Sequence, residues 1–118
     1  SVPAGMLDAA GLERQLAQLS AATNSPWNVN FFCHDSPAPN PEGEQRWVET
    51  LHPYYDEFGT DPSTIPEGPS RKPFDADCAA VLALFRPAVV SFHYGLPEAS
   101  LLDRVKATGA TVLSSATT

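Results

Sequence analysis

The sequence predicts an α/β fold in which parallel strands alternate with helices. Residues 87–95 (PAVVSFHYG) form a short apolar run that ends in a histidine and a glycine, which is typical of a buried parallel strand. Residues 111–115 (TVLSS) form a second such run, and a helical pattern separates the two. Strand, turn, helix and strand in this order make one βαβ unit, whose working side chains lie where the strands end.

The residues before this unit continue the same alternation. A helix is expected from Asp8, its N-cap, to about Ala21, because leucines recur there at helical spacing. Residues 27–33 (WNVNFFC) are apolar on both faces, as a strand covered by helices should be. Residues 1–5 carry no signal of their own, so we interpret them as the exit turn of an element that precedes them.

Two helices are expected in the middle of the chain. Asn40 is the predicted N-cap of the first, which Gly59 ends and which Pro53 should kink or interrupt. Residues 61–73 read as an ordered surface loop or a short linker, and a second helix runs from residue 74 or 75 to residue 85. Four aromatic side chains of the first helix are expected in a core rather than in a stacking platform: Trp47, Tyr54, Tyr55 and Phe58.

The last helix and strand complete the order helix, strand, helix, helix, strand, helix, strand. The last helix is expected from Pro97 to Thr108, with Gly109 ending it. Three parallel strands cannot close a barrel, and they leave two sheet edges uncovered. We therefore expect residues 1–118 to be one domain that is incomplete at both ends, somewhat under half of a (β/α)₈ barrel of about 250 residues.

Composition and charge exclude several classes of protein. A net charge of −7 argues against a surface for nucleic acid or anionic lipid. No apolar run is long enough to span a membrane, and no secretion signal opens the chain. Cys33 and Cys78 are far apart in the sequence, which fits reduced core thiols better than a disulfide framework. These features predict a cytoplasmic protein whose partners are small molecules.

Polar side chains lie at the ends of all three predicted strands. Asn30 is near the end of the first, Ser91 and His93 near the end of the second, and Ser114 with Ser115 at the end of the third. Because the carboxyl ends of parallel strands share one rim, these groups are expected to converge on a ligand or catalytic site. Alternatives stay open: Asn30 as a buried amide satisfied by backbone, His93 as a core histidine bonded to a neighbouring strand, and the serines as turn residues.

Other recognised chemistries are not indicated by the sequence. Cys33, His34, His52 and His93 do not have the spacing of a metal site. No GxSxG turn is present to support a nucleophile, and no GxGxxG or P-loop segment is present to hold a phosphate. The phosphate of any phosphorylated cofactor is therefore expected to be bound outside this chain.

Five short segments taken together resemble the nitronate monooxygenase family, formerly called 2-nitropropane dioxygenases. In family order and with family-like spacing, they are residues 2–7 (VPAGML), 26–32 (PWNVNFF), 53–55 (PYY), 89–97 (VVSFHYGLP) and 112–118 (VLSSATT). The resemblance implies an FMN-dependent (β/α)₈ barrel, an oxidoreductase that converts alkyl nitronates and molecular oxygen to a carbonyl compound and nitrite.

The resemblance also implies roles for individual residues. Asn30 matches the asparagine that approaches the flavin from the end of its strand, and His93 with the Ser114–Ser115 turn would lie beside the flavin ring or the substrate. The chain departs from the family at Asn28, where a glycine is usual. It also has Ser115 where some members carry a lysine, so a lysine contact to the flavin does not carry over.

The catalytic histidine of the family belongs to a GGH-type segment that would follow Thr118, and this chain does not contain one. The chain is therefore expected to supply part of the flavin pocket without the base, and His93 is only a candidate catalytic residue. Two alternatives remain open. One is a non-catalytic half-barrel that self-associates, and the other is a reductase or dehydrogenase on a related FMN barrel.

Overall fold

The computed structural model describes residues 1–64 and 72–116. Its strands are β1 (Val2–Pro3), β2 (Asn28–Phe32), β3 (Val89–His93) and β4 (Thr111–Ser114). Its α-helices are α1 (Ala9–Ala22), α2 (Pro41–Phe58), α3 (Ala76–Phe85) and α4 (Ala99–Ala107), and a short 3₁₀ turn covers Pro62–Thr64. One compact unit holds the described residues of 1–36 and 72–116, and a second holds those of 37–64. Part of the predicted loop at 61–73 lies outside the described residues.

The four strands form one parallel sheet in the order β1-β2-β3-β4. Val29 pairs with Val90, and Val90 pairs with Val112, so the register continues across the sheet. Each strand is added beside the one before it in the chain, as in a (β/α)₈ barrel, whereas the order reverses in a doubly wound sheet. The predicted α/β class with parallel βα units is confirmed.

Strand β1 corrects the interpretation of residues 1–5 as an exit turn. Val2 pairs with Val29 and Pro3 with Asn30, and the Ala4 N–H donates to the Asn30 carbonyl oxygen at 2.8 Å. Two residues, one of them a proline, carry no local strand signal, so only their pairing with β2 makes them a strand. Within residues 1–64 and 72–116 the sheet therefore has four strands and not three.

Helices α1, α2 and α3 begin at side-chain caps, whereas α4 begins at Glu98 without one. Asp8 Oδ1 accepts a hydrogen bond from the Gly11 N–H at 2.7 Å, and Asn40 Oδ1 accepts one from the Gly43 N–H at 3.0 Å. Asp75 caps α3 in the same way. Each cap satisfies a backbone donor that the first turn of a helix leaves unpaired.

Helix α2, which lies in the second unit, differs from its prediction in two respects. It runs without interruption through Pro53 to Phe58, so the expectation that Pro53 interrupts the helix is wrong, while a kink there stays a prediction. It also contains no buried residue, and Trp47, Tyr54 and Phe58 are each exposed over more than half of their surface. Within the described residues the expectation of a core is wrong for these three side chains, and Tyr55 is only partly buried. Helical spacing shows which face is apolar, but it does not show what covers that face.

The hydrophobic core lies between the sheet and helices α1, α3 and α4. Every second residue of β1, β2 and β3 contributes to it: Val2, Val29, Phe31, Val90 and Phe92. The helix residues that face them are Leu12 and Leu16 of α1, Cys78, Ala79, Val81 and Leu82 of α3, and Val105 of α4. Phe74 adds an aromatic ring whose centroid is 4.8 Å from that of Phe31 and 5.2 Å from that of Phe92. We call this side of the sheet the helix face.

The opposite side of the sheet, which we call the inner face, carries the intervening strand residues. They are Asn28, Asn30, Phe32, Val89, Ser91, His93, Thr111 and Leu113, which alternate with the helix-face residues along each strand. The inner face thus holds polar groups predicted as site residues. None of the helices within the described ranges has the length and hydropathy needed to cross a membrane.

Candidate functional site

A cavity of about 550 Å³ opens at the carboxyl ends of β2, β3 and β4. Six residues line it: Asn30, Phe32, His93, Tyr94, Gly95 and Ser115. Its volume falls within the range of roughly 300–1,000 Å³ that is usual for ligand and cofactor sites. Three of the predicted polar side chains, Asn30, His93 and Ser115, are thus brought to one place by three consecutive strands.

His93 and Ser115 face each other across the ends of β3 and β4. The distance between His93 Nδ1 and Ser115 Oγ is 3.0 Å. The Ser115 N–H donates to the Phe92 carbonyl oxygen at 3.2 Å, so the ladder between the strands continues one residue beyond β4. His93 is only partly buried, bonds the residue that follows β4, and lines the cavity, so it is not the core histidine bonded only to a neighbouring strand that was one alternative.

Ser114 lies apart from the other predicted site residues. Its register partner is Phe92, whose side chain is fully buried on the helix face. Ser114 is exposed, and its Oγ donates to the Ser115 carbonyl oxygen at 3.3 Å. Because successive strand residues point to opposite sides of a sheet, Ser114 and Ser115 do not both face the cavity.

Below the cavity, Ser91 connects two asparagines of β2. Asn28 Nδ2 donates to Ser91 Oγ at 2.8 Å and to Ser1 Oγ at 2.9 Å. Ser91 Oγ donates in turn to Asn30 Oδ1 at 2.7 Å. The side-chain partner of Asn30 is therefore a serine hydroxyl. The sequence had left open the alternative that neighbouring backbone groups satisfy this amide.

The sequence interpretation missed this supporting role of Asn28, which it noted only as a departure from a family pattern. A signal was present in the sequence, since Asn28 and Asn30 stand two residues apart in an otherwise apolar strand. That spacing places both amides on one face of the sheet. What the sequence did not show is that Ser91 of the next strand lies opposite Asn30 in the register.

Phe32 is the centre of an aromatic group at the rim of the cavity. Its ring makes edge contacts with His34, His93 and Tyr94, at centroid distances of 6.5, 6.5 and 5.2 Å. A Cβ atom on Gly5 would lie 2.6 Å from carbons of the same ring, so a glycine is needed there to leave it room. Phe32 therefore forms one wall of the cavity, and its ring is packed against by neighbours on several sides.

The turn after β3 places Tyr94 at the mouth of the cavity. Tyr94 has a φ of 63° and Gly95 a φ of 105°, so two successive residues have a positive φ. Residues other than glycine seldom adopt this conformation, which makes the turn a constrained one. The Tyr94 side chain is exposed there and adds a phenol to the aromatic wall. Sequence reasoning did not select Phe32 or Tyr94, although both adjoin predicted strand ends.

The two cysteines are free, as the sequence predicts. Burial raises the pKa of the Cys33 thiol to about 11. The pKa of Cys78 is also raised to about 11, first by burial and then by the negative charge of Asp75. Thiols with such pKa values stay protonated near pH 7 and are poor nucleophiles. Cys33 follows β2 close to the rim, but it offers no thiolate to the site.

No group of three or more His, Cys, Asp or Glu side chains that could hold a metal ion is found within residues 1–64 and 72–116. His52 lies on α2, where its Nδ1 is 3.1 Å from Oδ2 of Asp56. His34 and His93 both lie beside Phe32. The histidines in the described part of the chain are thus engaged in separate local contacts.

The residues that line the cavity fit a flat ring with a polar edge, such as that of a flavin. An amide, an imidazole and a hydroxyl can donate or accept hydrogen bonds, and Phe32 and Tyr94 provide aromatic surface. The described lining contains no lysine or arginine. These residues suit the ring of such a group, and they do not provide a charged partner for its phosphate.

Comparison with known proteins gives a consistent result. No protein-family model matches the chain. The chain is 36% identical to a nitronate monooxygenase of Paraburkholderia phytofirmans over 121 residues, which cover 99% of this chain and 32% of that protein. It is 33% identical to a nitronate monooxygenase of Pseudomonas aeruginosa over 111 residues, which cover 87% of this chain and 30% of that protein. The chain spans about a third of the length of the curated relatives that it matches.

A solved structure shows the same arrangement of strands and helices. The chain superposes on a nitroalkane oxidase from Streptomyces ansochromogenes with a TM-score of 0.75 and 26% sequence identity. The match covers 98% of this chain and 32% of the larger one. Together with the sequential strand order, this coverage confirms the prediction that the chain forms part of a larger (β/α)₈ barrel.

Proposed function

Because the chain is related along nearly its whole length to the nitronate monooxygenase family, of whose members it spans about a third, we propose that it forms one side of the flavin site in an FMN-dependent enzyme of this kind. The full-length protein would oxidise alkyl nitronates with molecular oxygen and release a carbonyl compound and nitrite. When bound, the flavin supplies the redox chemistry, and the protein supplies binding, orientation and a proton acceptor.

One observation carries this proposal: Asn30, His93 and Ser115 come from three consecutive strands and line one cavity at the carboxyl end of the sheet. In barrels of this type the active site lies at that end. Asn30 and Ser115 would offer hydrogen bonds to heteroatoms of the ring, and Phe32 and Tyr94 would offer aromatic contact. The lining therefore supports a role for these residues in holding and orienting the cofactor.

His93 is proposed as a binding residue, and it remains a candidate for moving a proton. Its Nδ1 is engaged with Ser115 Oγ at 3.0 Å, which fixes the ring plane. Its second ring nitrogen, Nε2, makes no hydrogen bond within the described residues. In the tautomer whose Nδ1–H donates to Ser115 Oγ, the neutral imidazole can accept a proton at Nε2. The resemblance to the family nevertheless implies that the catalytic base belongs to a segment other than this one.

The proposed partners are a small nitronate and molecular oxygen. We also propose a cytoplasmic location, which the two free thiols support because cysteines stay reduced in that compartment.

A second candidate function is a half-barrel without activity that associates with itself. The exposed inner-face residue Leu113, 52% accessible, favours it, as do the outer edges of β1 and β4, which pair with no further strand among the described residues, since apolar surface and open strand edges promote association. Analytical ultracentrifugation of the 118-residue chain separates the two candidates. A folded monomer contradicts self-association, and a defined dimer that binds no flavin supports it.

The enzyme proposal is tested on the full-length protein. We expect it to purify with, or take up, FMN, and to release nitrite from propane-2-nitronate while it consumes oxygen. Asn30→Ala should weaken FMN binding by about tenfold, the value of one hydrogen bond to a buried group. Ser100→Ala, on the exposed surface of α4, is the matched control and should change nothing.

The possible outcomes of this test are distinct. A protein that binds no FMN and releases no nitrite contradicts the proposal. A protein that binds FMN but acts on an enone or another reducible substrate, and not on a nitronate, belongs to a related FMN-barrel chemistry.

A further inference from the structure

We propose that Ser91 and Asn28 are positioning residues that hold the Asn30 side-chain amide in one orientation, with its nitrogen toward the cavity. The inference rests on the proposed function in taking the cavity as a flavin site. It goes further, because it gives one contact of that site a direction: Asn30 donates, and the ligand atom opposite it accepts.

The direction follows from the chain of hydrogen bonds on the inner face. Asn28 Nδ2 donates to Ser91 Oγ at 2.8 Å, and Ser91 Oγ donates to Asn30 Oδ1 at 2.7 Å. A hydroxyl has a single proton, so a serine that accepts from one amide is free to give that proton to the next. Asn30 Oδ1 is thereby occupied, and Nδ2 is the polar atom of Asn30 that remains for the cavity.

The environment of Asn28 favours this direction over its reverse. Asn28 Oδ1 is buried and has no hydrogen-bond partner among the described residues. If the amide were reversed, its NH₂ group would occupy the position of Oδ1. Two buried N–H donors would then lack partners, whereas in the present orientation a single acceptor lacks one. Unpaired buried N–H groups are rarer in proteins than carbonyls that lack a partner. The orientation of the Asn28 amide thus determines that Ser91 Oγ accepts from Asn28 and donates to Asn30 Oδ1.

The hydrogen bonds that join Asn28, Ser91 and Asn30 connect residues of two strands and not of a loop. Asn30 lies opposite Ser91 in the register of β2 and β3, and Asn28 lies two residues earlier on the same face. Ser91 is only 8% exposed, so water has little access to compete for its hydroxyl. Neutral hydrogen bonds in such a setting are strengthened by their neighbours, and a partly broken network is costly. The amide is therefore fixed before any ligand binds.

This orientation defines the chemistry that the Asn30 position recognises. An N–H donor pairs with a carbonyl oxygen or with an unprotonated ring nitrogen, and it is mismatched with a ligand N–H. A flavin ring carries atoms of both kinds, so the fixed amide would select which edge of the ring faces β2. Asn28 and Ser91 would act on the ligand only through Asn30.

The test is a double-mutant cycle on FMN affinity in the full-length protein, measured by the quenching of flavin fluorescence. Ser91→Ala should weaken binding by about 3- to 10-fold, and Asn30→Ala by about 10-fold, which are the effects of losing one neutral hydrogen bond. The double variant should bind no more weakly than Asn30→Ala alone, since Ser91 acts through Asn30. Ser100→Ala serves as the exposed serine control.

Two results would overturn the inference. If the losses of the single variants multiply in the double variant, Ser91 acts on the site by another route. If Ser91→Ala binds FMN as tightly as the parent protein does, the amide needs no positioning.

A neutron crystal structure of the parent protein gives a reading that does not depend on FMN binding or on the folding of any variant. Deuterium atoms on the cavity side of the Asn30 amide support the inference, and an oxygen on that side refutes it. A full-length protein that binds no FMN would refute the proposed function, while the deuterium positions would still decide the orientation of Asn30.

Discussion

The two faces of this one sheet have opposite characters. On the helix face, Val29, Phe31, Val90 and Phe92 are all at most 2% exposed and lie in the apolar core. On the inner face, the same strands carry amides, hydroxyls and an imidazole, and Leu113 is half exposed. Because side chains alternate along a strand, five residues of β2 supply both the core and the cavity. Stability depends mainly on one set of residues, and binding depends on the other.

Neighbouring residues on one strand can therefore be tested against each other. Phe31 and Phe32 are adjacent in β2, have the same side chain, and point to opposite faces. Ser114 and Ser115 are adjacent at the end of β4 and also separate in this way. Such pairs keep the chemistry of the substitution constant and change only the face.

The largest effect is expected for Phe31→Ala. Its ring is 2% exposed and packs against Phe74 and Phe92, so its loss should reduce the free energy of unfolding by about 3–5 kcal/mol. Phe32→Ala removes the same atoms from the lining of the cavity and should cost less, while weakening FMN binding. Urea unfolding of the full-length variants measures both. Equal costs for the two substitutions would contradict the division between the faces.

A second effect is expected at Gly5, where the rim is tightly packed. A methyl group there would lie 2.6 Å from the Phe32 ring, so Gly5→Ala should cost about 1–3 kcal/mol by overpacking and should displace that ring. Thermal unfolding of Gly5→Ala in the parent and in a Phe32→Leu background measures the coupling. If the cost is the same in both backgrounds, the Phe32 ring is not its cause.

A third, smaller effect is expected at the cap of α3. Burial by itself would raise the pKa of the Asp75 carboxyl, but hydrogen bonds from the Cys78 N–H and from Lys72 lower that pKa overall. A carboxyl whose pKa is lowered by folding stabilises the protein above its unfolded pKa of about 3.9, and this contribution is lost as the pH falls through the folded pKa. Acid should therefore destabilise the parent protein in this range.

Two variants separate the cap from the charge. Asp75→Ala should lose about 1 kcal/mol of unfolding free energy at pH 7. Asp75→Asn retains an oxygen for the cap but cannot titrate, so its stability should fall less steeply below about pH 4 than that of the parent protein. Unfolding curves between pH 3 and pH 7 measure both slopes. Identical acid dependence in the parent and in Asp75→Asn would show that other groups govern it.

The smallest effect is expected for the serine pair. Ser115→Ala removes the partner of His93 Nδ1 at the cavity and should weaken FMN binding by about 3- to 10-fold. Ser114→Ala, one residue earlier and on the other face, should leave the affinity unchanged. Fluorescence titration of both variants decides the matter. A loss at Ser114 that equals the loss at Ser115 would contradict the assignment of the faces.

Local sequence signals were sufficient for features that depend on a few consecutive residues. The caps at Asp8 and Asn40 were predictable because an N-cap bonds the backbone only three residues away. The polar strand ends were also visible, and parallel strands share one rim by geometry. Three of the four side chains predicted to bind the cofactor accordingly line the cavity, although their role in binding a cofactor remains a prediction.

Features that depend on distant residues were not predictable in the same way. Strand β1 has two residues, and only its hydrogen bonds to β2, some 27 positions away, make it a strand. The apolar stripe of α2 was visible in the sequence, but its exposure was not. Both depend on what lies opposite a segment in space, which no local pattern contains.

The sequence by itself determined the alternation of strands and helices, the positions of the caps, and the presence of polar groups near the ends of the strands. Only the tertiary structure decided which of those groups meet. The register of β2, β3 and β4 places Ser91 against Asn30 and Ser115 against His93, and it turns Ser114 away. The physical reason is that side chains alternate along a strand, so a shift of one residue in register would exchange every inner-face group for a helix-face one.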